Sequence, residues 1–140
     1  MDTLILPLED EQTVESRKRI LIVDDDHSQA DVLSFRLSKQ GYATQTAYSG
    51  RDGMAAAREN RPDAILMDIR LPDANGLNLC QSLSEDPRTC GIPVIILSGM
   101  ERPDIIRRSR EAGCQYFVRK PYDPNALLLL VESALDFTSP

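Results

Sequence analysis

Five short apolar runs, each ending at or just before a polar residue and parted from the next by a helix-like stretch, constrain this 140-residue chain more than any other feature. They fall at residues 20–23, 43–48, 64–67, 94–97 and 116–118 and read as strands. Four of the five are continuously apolar, as strands covered on both faces are, and such strands occur mainly in parallel sheets flanked by helices. The stretches near 26–39, 50–60, 75–84, 102–112 and 124–136 read as helices. Gly41 and Gly113 stand as C-terminal stops, and Asn75 and Asp123 stand where N-caps belong. Five strand-helix units in a row predict an α/β fold, a doubly wound five-stranded parallel sheet with five helices in a three-layer sandwich.

Charge separates the ends of the chain. The formal net charge is −6, and residues 1–15 hold Asp2, Glu9, Asp10, Glu11 and Glu15 without a base, so the remainder carries a single net negative charge. Residues 1–18 show no sustained periodicity and read as a flexible acidic extension, with LILPL as a short adhesive segment; residues 19–138 form the domain. The body offers no basic face for nucleic acid, so direct nucleic-acid contact is not expected. The longest apolar run, residues 127–131, is too short to span a bilayer, and the N-terminus lacks a basic, signal-like start. Cys80, Cys90 and Cys114 form an odd set without a C-x-x-C pair. A cytoplasmic protein without membrane contact is the expectation.

Parallel sheets bind ligands outside the carboxyl ends of their strands. At those ends stand Asp24 and Asp25 after ILIV, Asp68 after AILM, Ser98 after VIIL and Lys120 just beyond YFV. Like charges about 4 Å apart repel by roughly 4 kcal/mol near a protein surface, so the carboxylates need counter-ions. Lys120 supplies one positive charge and leaves at least two negative charges over. Carboxylates without histidine or thiolate partners favour a hard divalent cation, Mg²⁺ first and Mn²⁺ as a substitute. A metal, an ammonium and a hydroxyl around one carboxylate suit in-line transfer of a phosphoryl group, with Asp68 as nucleophile.

The segments "ILIVDD", "DAILMDIRLPDANG", "IPVIILSG" and "YFVRKP" together resemble the receiver domains of two-component response regulators over about residues 19–137. The resemblance implies the flavodoxin-like strand order 2-1-3-4-5. It also implies that Asp68 accepts a phosphoryl group from a phosphohistidine on a sensor histidine kinase or a histidine phosphotransfer protein. Asp25 would ligate Mg²⁺ directly, Asp24 through water, and Asp68 and the Arg70 backbone carbonyl would complete the protein's share. Ser98 and Lys120 would hold the phosphoryl group, a cis bond would precede Pro121, and Gly76 would occupy the family's turn position. Ser98 and Phe117 would form a switch that alters the surface of the fourth helix, last strand and fifth helix. Phe117 stands where many relatives carry tyrosine, so the difference between states would rest on packing. Such a domain catalyses its own phosphorylation and dephosphorylation rather than acting as an enzyme on other substrates. Arg70 and Met100 depart from the family's commoner Asn or Glu and predict slower loss of the phosphoryl group.

Other residues read more plainly. Asp26 fits the N-cap of the first helix, and His27 reads as a surface residue of its first turn. With Leu33 and Leu37 as the buried stripe of that helix, Phe35 points the other way and is a candidate contact for the histidine-bearing partner. Leu129 or a neighbour is surplus to one buried stripe of the last helix. The chain stops soon after that helix, and the expectation is a stand-alone receiver; a phosphorelay shuttle and a regulatory domain excised from a longer regulator are the alternatives. A phosphatase of haloacid dehalogenase type would need a Thr after its D-x-D, absent from "DDDHS". A flavodoxin-like binding module would need a Ser/Thr/Gly phosphate loop where this chain has aspartates.

Overall fold

The computed structural model describes residues 16–138. Most of the acidic extension, with its LILPL segment, lies outside the described residues. Ten elements alternate along the chain: β1 (Arg19–Val23), α1 (His27–Lys39), β2 (Ala43–Ala47), α2 (Gly50–Asn60), β3 (Ala64–Asp68), α3 (Gly76–Glu85), β4 (Val94–Ser98), α4 (Ile105–Glu111), β5 (Tyr116–Arg119) and α5 (Pro124–Thr138). The strands form one parallel sheet in the order β2-β1-β3-β4-β5. Strand order and helix count are those expected from the sequence and its family resemblance.

Continuous apolar runs follow from burial on both faces of the sheet. Leu21, Val23, Ile65, Met67 and Ile96 form one core with residues of α2 and α3, while Ile20, Ile22, Leu66, Ile95 and Leu97 form another with α1 and α5. Removing each such side chain from water contributes roughly 1.5–3 kcal/mol, which rewards an apolar residue at every position of a central strand. At the edges this does not hold. β5, read from its YFV run as covered on both faces, is only half-buried, because no strand pairs with it beyond β4 among the described residues. The second apolar run was expected to reach Tyr48, but β2 ends at Ala47, and the Tyr48 ring stacks on His27 with centroids 3.7 Å apart. His27 is thus an exposed first-turn residue with a ring partner.

The helix boundaries have local causes. Asp26 caps α1 by accepting from the Gln29 N–H at 3.1 Å, Asn75 caps α3 through Leu77 N–H at 2.8 Å, and Asp123 accepts from Asn125 N–H at 3.1 Å. Gly41 and Gly113 adopt φ of 96° and 94°, the left-handed turn that ends a helix. The fourth helix starts at Ile105 rather than at residue 102. Pro103 disfavours helical backbone at Arg102 before it, and the segment instead closes a turn through Ile105 N–H to the Arg102 carbonyl.

Candidate functional site

The carboxyl edge of the sheet gathers residues that are far apart in sequence. Lys120, just after β5, donates from Nζ to Asp24 Oδ2 and Asp68 Oδ2, both at 3.3 Å, and to Gln29 Oε1 at 3.1 Å. The second oxygen of each carboxylate is held by backbone. Asp24 Oδ1 accepts from Asp26 N–H at 2.9 Å, and Asp68 Oδ1 accepts from Arg70 N–H at 3.2 Å. Asp24 is buried and Asp25 exposed, yet carboxylate oxygens of Asp24, Asp25 and Asp68 lie within 4.8 Å of one another. Three carboxylates, two of them sharing one ammonium, form a hard-oxygen donor set, which fits Mg²⁺ or Mn²⁺. Asp26, engaged at the α1 cap, is outside this group.

The electrostatics show the tension in the cluster. Burial pushes the Asp24 carboxyl above its ordinary range, outweighing the Asp26 amide and Lys120, which act the other way. For Lys120, burial acts to lower the ammonium's affinity for its proton, but the Asp68 and Asp24 charges prevail and the net direction is upward. Lys120 is therefore held charged between two carboxylates.

Beside Asp68, a cleft of about 220 Å³ is lined by Asp68, Arg70, Ser98, Gly99, Met100 and Lys120. That is several times the roughly 30 Å³ share of one water, enough for a small tetrahedral anion. Ser98 is buried, and its Oγ accepts from Met100 N–H at 3.0 Å, so its hydroxyl is engaged with the loop after β4. The Phe117 ring is half-buried beneath the Arg119 guanidinium, 6.0 Å from the ring centroid, and Arg119 also donates to the Met100 carbonyl at 3.3 Å. The Lys120–Pro121 bond is cis, as expected. Phe35 is 63% exposed on α1 and lies away from the cluster, with Lys39 Nζ 5.1 Å from its ring centroid. Leu129 is likewise exposed.

Gln29 and Arg119 were not singled out in the sequence. Gln29 lies three positions beyond the Asp26 cap, in the first turn of α1, which is the one sequence signal that places it near the strand ends.

The family profile described as "Response regulator receiver domain" matches residues 20–132. The chain belongs to this family. Its receiver is 36% identical over 117 residues to the "DNA-binding dual master transcriptional regulator RpaA" of Synechocystis, covering 84% of this chain and 48% of that protein. It is also 36% identical to "Protein PilH" of Pseudomonas aeruginosa, covering 84% of this chain and 97% of that protein. The chain thus spans about half the length of RpaA and nearly all of PilH. The crystal structure of a CheY-like receiver domain protein from Methanospirillum hungatei superposes with a TM-score of 0.83 at 31% identity, covering 88% of this chain and 97% of that one. As a receiver, the chain is a phosphoryl-accepting module of two-component signalling. Receivers typically use Mg²⁺ and interact with histidine kinases or phosphotransfer proteins. Among the described residues of this receiver, no helix is long and apolar enough to cross a membrane.

Proposed function

We propose that Asp68 is the phosphoryl acceptor, that Lys120 and Ser98 hold the transferred group, and that Asp24, Asp25, Asp68 and the Arg70 backbone carbonyl hold Mg²⁺ beside it. The observation that carries this reading is Lys120 Nζ, 3.3 Å from both Asp68 and Asp24, at the rim of the three-carboxylate group. An Asp68 carboxylate oxygen attacks phosphorus, the N–P bond of the partner's phosphohistidine breaks, and the imidazole leaves with the electron pair. The product is an acyl phosphate. Mg²⁺, when bound, neutralises charge on the phosphoryl oxygens. Lys120 neutralises a further share and orients Asp68. Water attacking the same phosphorus releases inorganic phosphate and restores the carboxylate, so the domain catalyses both steps on itself. Arg70 and Met100 line the cleft that this water must enter.

The switch begins at Ser98, whose Oγ accepts from the Met100 N–H and keeps its own proton to donate, so a move of Ser98 toward the phosphoryl group draws the loop after β4 with it. The Phe117 ring then fills the vacated space, biasing a two-state equilibrium that is read on α4, β5 and α5.

Incubation with Mg²⁺ and acetyl phosphate, read by intact mass, tests the assignment. Wild type is expected to gain one phosphoryl mass and Asp68→Asn none; equal gain in both would place the acceptor elsewhere. Phe35, exposed beside a cleft lined by Val32, Arg36, Lys39 and Leu128, is proposed to contact the histidine-bearing partner. Phe35→Ala is expected to lower phosphotransfer from that partner about fivefold or more, since loss of an aromatic anchor typically exceeds 1 kcal/mol. Its phosphorylation by acetyl phosphate stays at the wild-type rate. A parallel loss with both donors would remove Phe35 from the contact surface.

A further inference from the structure

The loop after the acceptor, residues 69–75, is anchored by a residue that is not part of the carboxylate cluster. Asp73 Oδ1 accepts from Gly50 N–H at 2.8 Å and Oδ2 accepts from Arg51 N–H at 3.0 Å. These are the first two amides of α2, which have no partner within their own helix, and a carboxylate there also complements the helix dipole. Ser49 Oγ takes the next amide, Asp52 N–H, at 3.1 Å, so the cap residue and the distant aspartate divide the helix end between them. These amide bonds hold the Asp73 carboxyl below its ordinary range.

A second observation concerns shape. Gly50 is buried, and a Cβ there would stand 2.9 Å from Ala74 Cβ, 2.9 Å from Leu79 Cδ1 and 3.2 Å from Asp73 Oδ1. The loop and the start of α3 therefore press onto α2 at a place that only glycine leaves open. The loop is also stiff within itself. Leu71 N–H donates to the Ala74 carbonyl at 3.2 Å, Gly76 N–H to the Ile69 carbonyl at 2.7 Å, and Arg70 pairs with Asn75 in an isolated bridge. A loop so braced moves as one body, so its anchor at Asp73 sets where Arg70 sits.

We propose that Asp73, seated against Gly50, is a positioning residue for phosphoryl acceptance, holding loop 69–75 on α2 so that Arg70 N–H orients Asp68 and the Arg70 carbonyl stays at the cation site. This rests on the acceptor and metal assignment given above. Asp73 touches neither the phosphoryl group nor the ion; it acts through the loop. Metal affinity responds to residues that orient the ligands, typically about tenfold or more when one is removed.

Two measurements on the full chain test it. Mg²⁺ affinity of the unphosphorylated protein is followed by NMR titration of backbone amides, and the acetyl phosphate reaction at saturating Mg²⁺ by intact mass. Asp73→Ala is expected to weaken Mg²⁺ binding about tenfold and to slow phosphorylation at saturating Mg²⁺. Asp73→Asn keeps one acceptor oxygen and should fall between Asp73→Ala and wild type. Gly50→Ala should reproduce the loss by forcing the loop outward. A purely stabilising cap predicts something else: lower melting temperatures with wild-type Mg²⁺ affinity and rate per folded molecule, and that result overturns the proposal. Failure of the acceptor assignment would show instead as wild type gaining no phosphate, whereas the Mg²⁺ titration needs no phosphoryl transfer.

Discussion

Lys120→Met is expected to destabilise the metal-free protein by about 1–3 kcal/mol and, at the same time, to enlarge the stabilisation it gains from Mg²⁺. Removing one partner of a buried ion pair typically costs 3–5 kcal/mol, because a charge is left buried and unpaired. Here the cost is smaller. The Lys120 side chain is 22% exposed, so water screens part of the interaction, and Asp24 can escape by taking a proton. Methionine retains most of the apolar stem, so the change isolates the charge. Without the ammonium, Asp24 and Asp68 lose their shared cation, and a divalent ion has more negative charge to neutralise. Binding to the native state adds stability by mass action, so the thermal shift at fixed Mg²⁺ grows.

The sign of the pH dependence follows from Asp24. Its folded pKa is raised by burial, so as pH rises above the unfolded carboxyl value the unfolded chain gives up this proton first, and stability falls across the window up to the folded value. Asp24→Asn is therefore expected to stabilise the metal-free protein at neutral pH, and in the Lys120→Met background to restore part of the loss. The Lys120→Met deficit should shrink as pH falls into the carboxyl range. Urea denaturation in EDTA, with and without added Mg²⁺, measures all three variants. A Lys120→Met protein as stable as wild type, with the same Mg²⁺ shift, would remove Lys120 from the charge balance of the site.

The two-faced burial of Ile20 to Val23, Ile65 to Met67 and Ile95 to Leu97 is written into composition, because each position of a central strand must be apolar. The residue that ends such a run is then forced to the carboxyl edge, which is why the sequence places Asp24, Asp68 and Ser98 together, with Lys120 joining them just beyond the half-buried β5. The division of the acidic triplet was legible for the same reason, since Asp26 is followed at once by a helix whose amide it caps. What could not be read depends on contacts between elements with no periodic signature. Asp73 is one aspartate in a loop until α2 is set against it, and its partners are the amides of Gly50 and Arg51, which any residue but proline would supply. Gln29 reaches Lys120 only because α1 leans over the strand ends. The half-burial of β5 reflects its place at the sheet edge, which the YFV run does not encode.

Gly76→Ala is expected to cost about 2–4 kcal/mol and to displace the acceptor, although alanine is the better helix former by about 1 kcal/mol. Gly76 opens α3 immediately beneath the end of β3. A Cβ there would fall onto the Asp68 carbonyl oxygen, with Ile69 Cα at 2.8 Å and the Asp68 carbonyl carbon at 3.1 Å. All three atoms are backbone, so no side-chain rotation relieves the contact. One relaxation moves Asp68 out of its register with Leu97 of β4; the other backs α3 away and breaks the 2.7 Å bond from Gly76 N–H to the Ile69 carbonyl. Either path shifts the residue that carries the Asp68 carboxylate, so phosphorylation by acetyl phosphate should fall together with stability. Gly91 supplies the control: a Cβ there meets nothing within 4 Å, and Gly91→Ala should stay within about 0.5 kcal/mol of wild type with an unchanged rate. Urea denaturation and intact mass on the two variants decide the matter. If Gly76→Ala tracked Gly91→Ala in both measurements, the close approach of α3 to Asp68 would have no part in holding the acceptor.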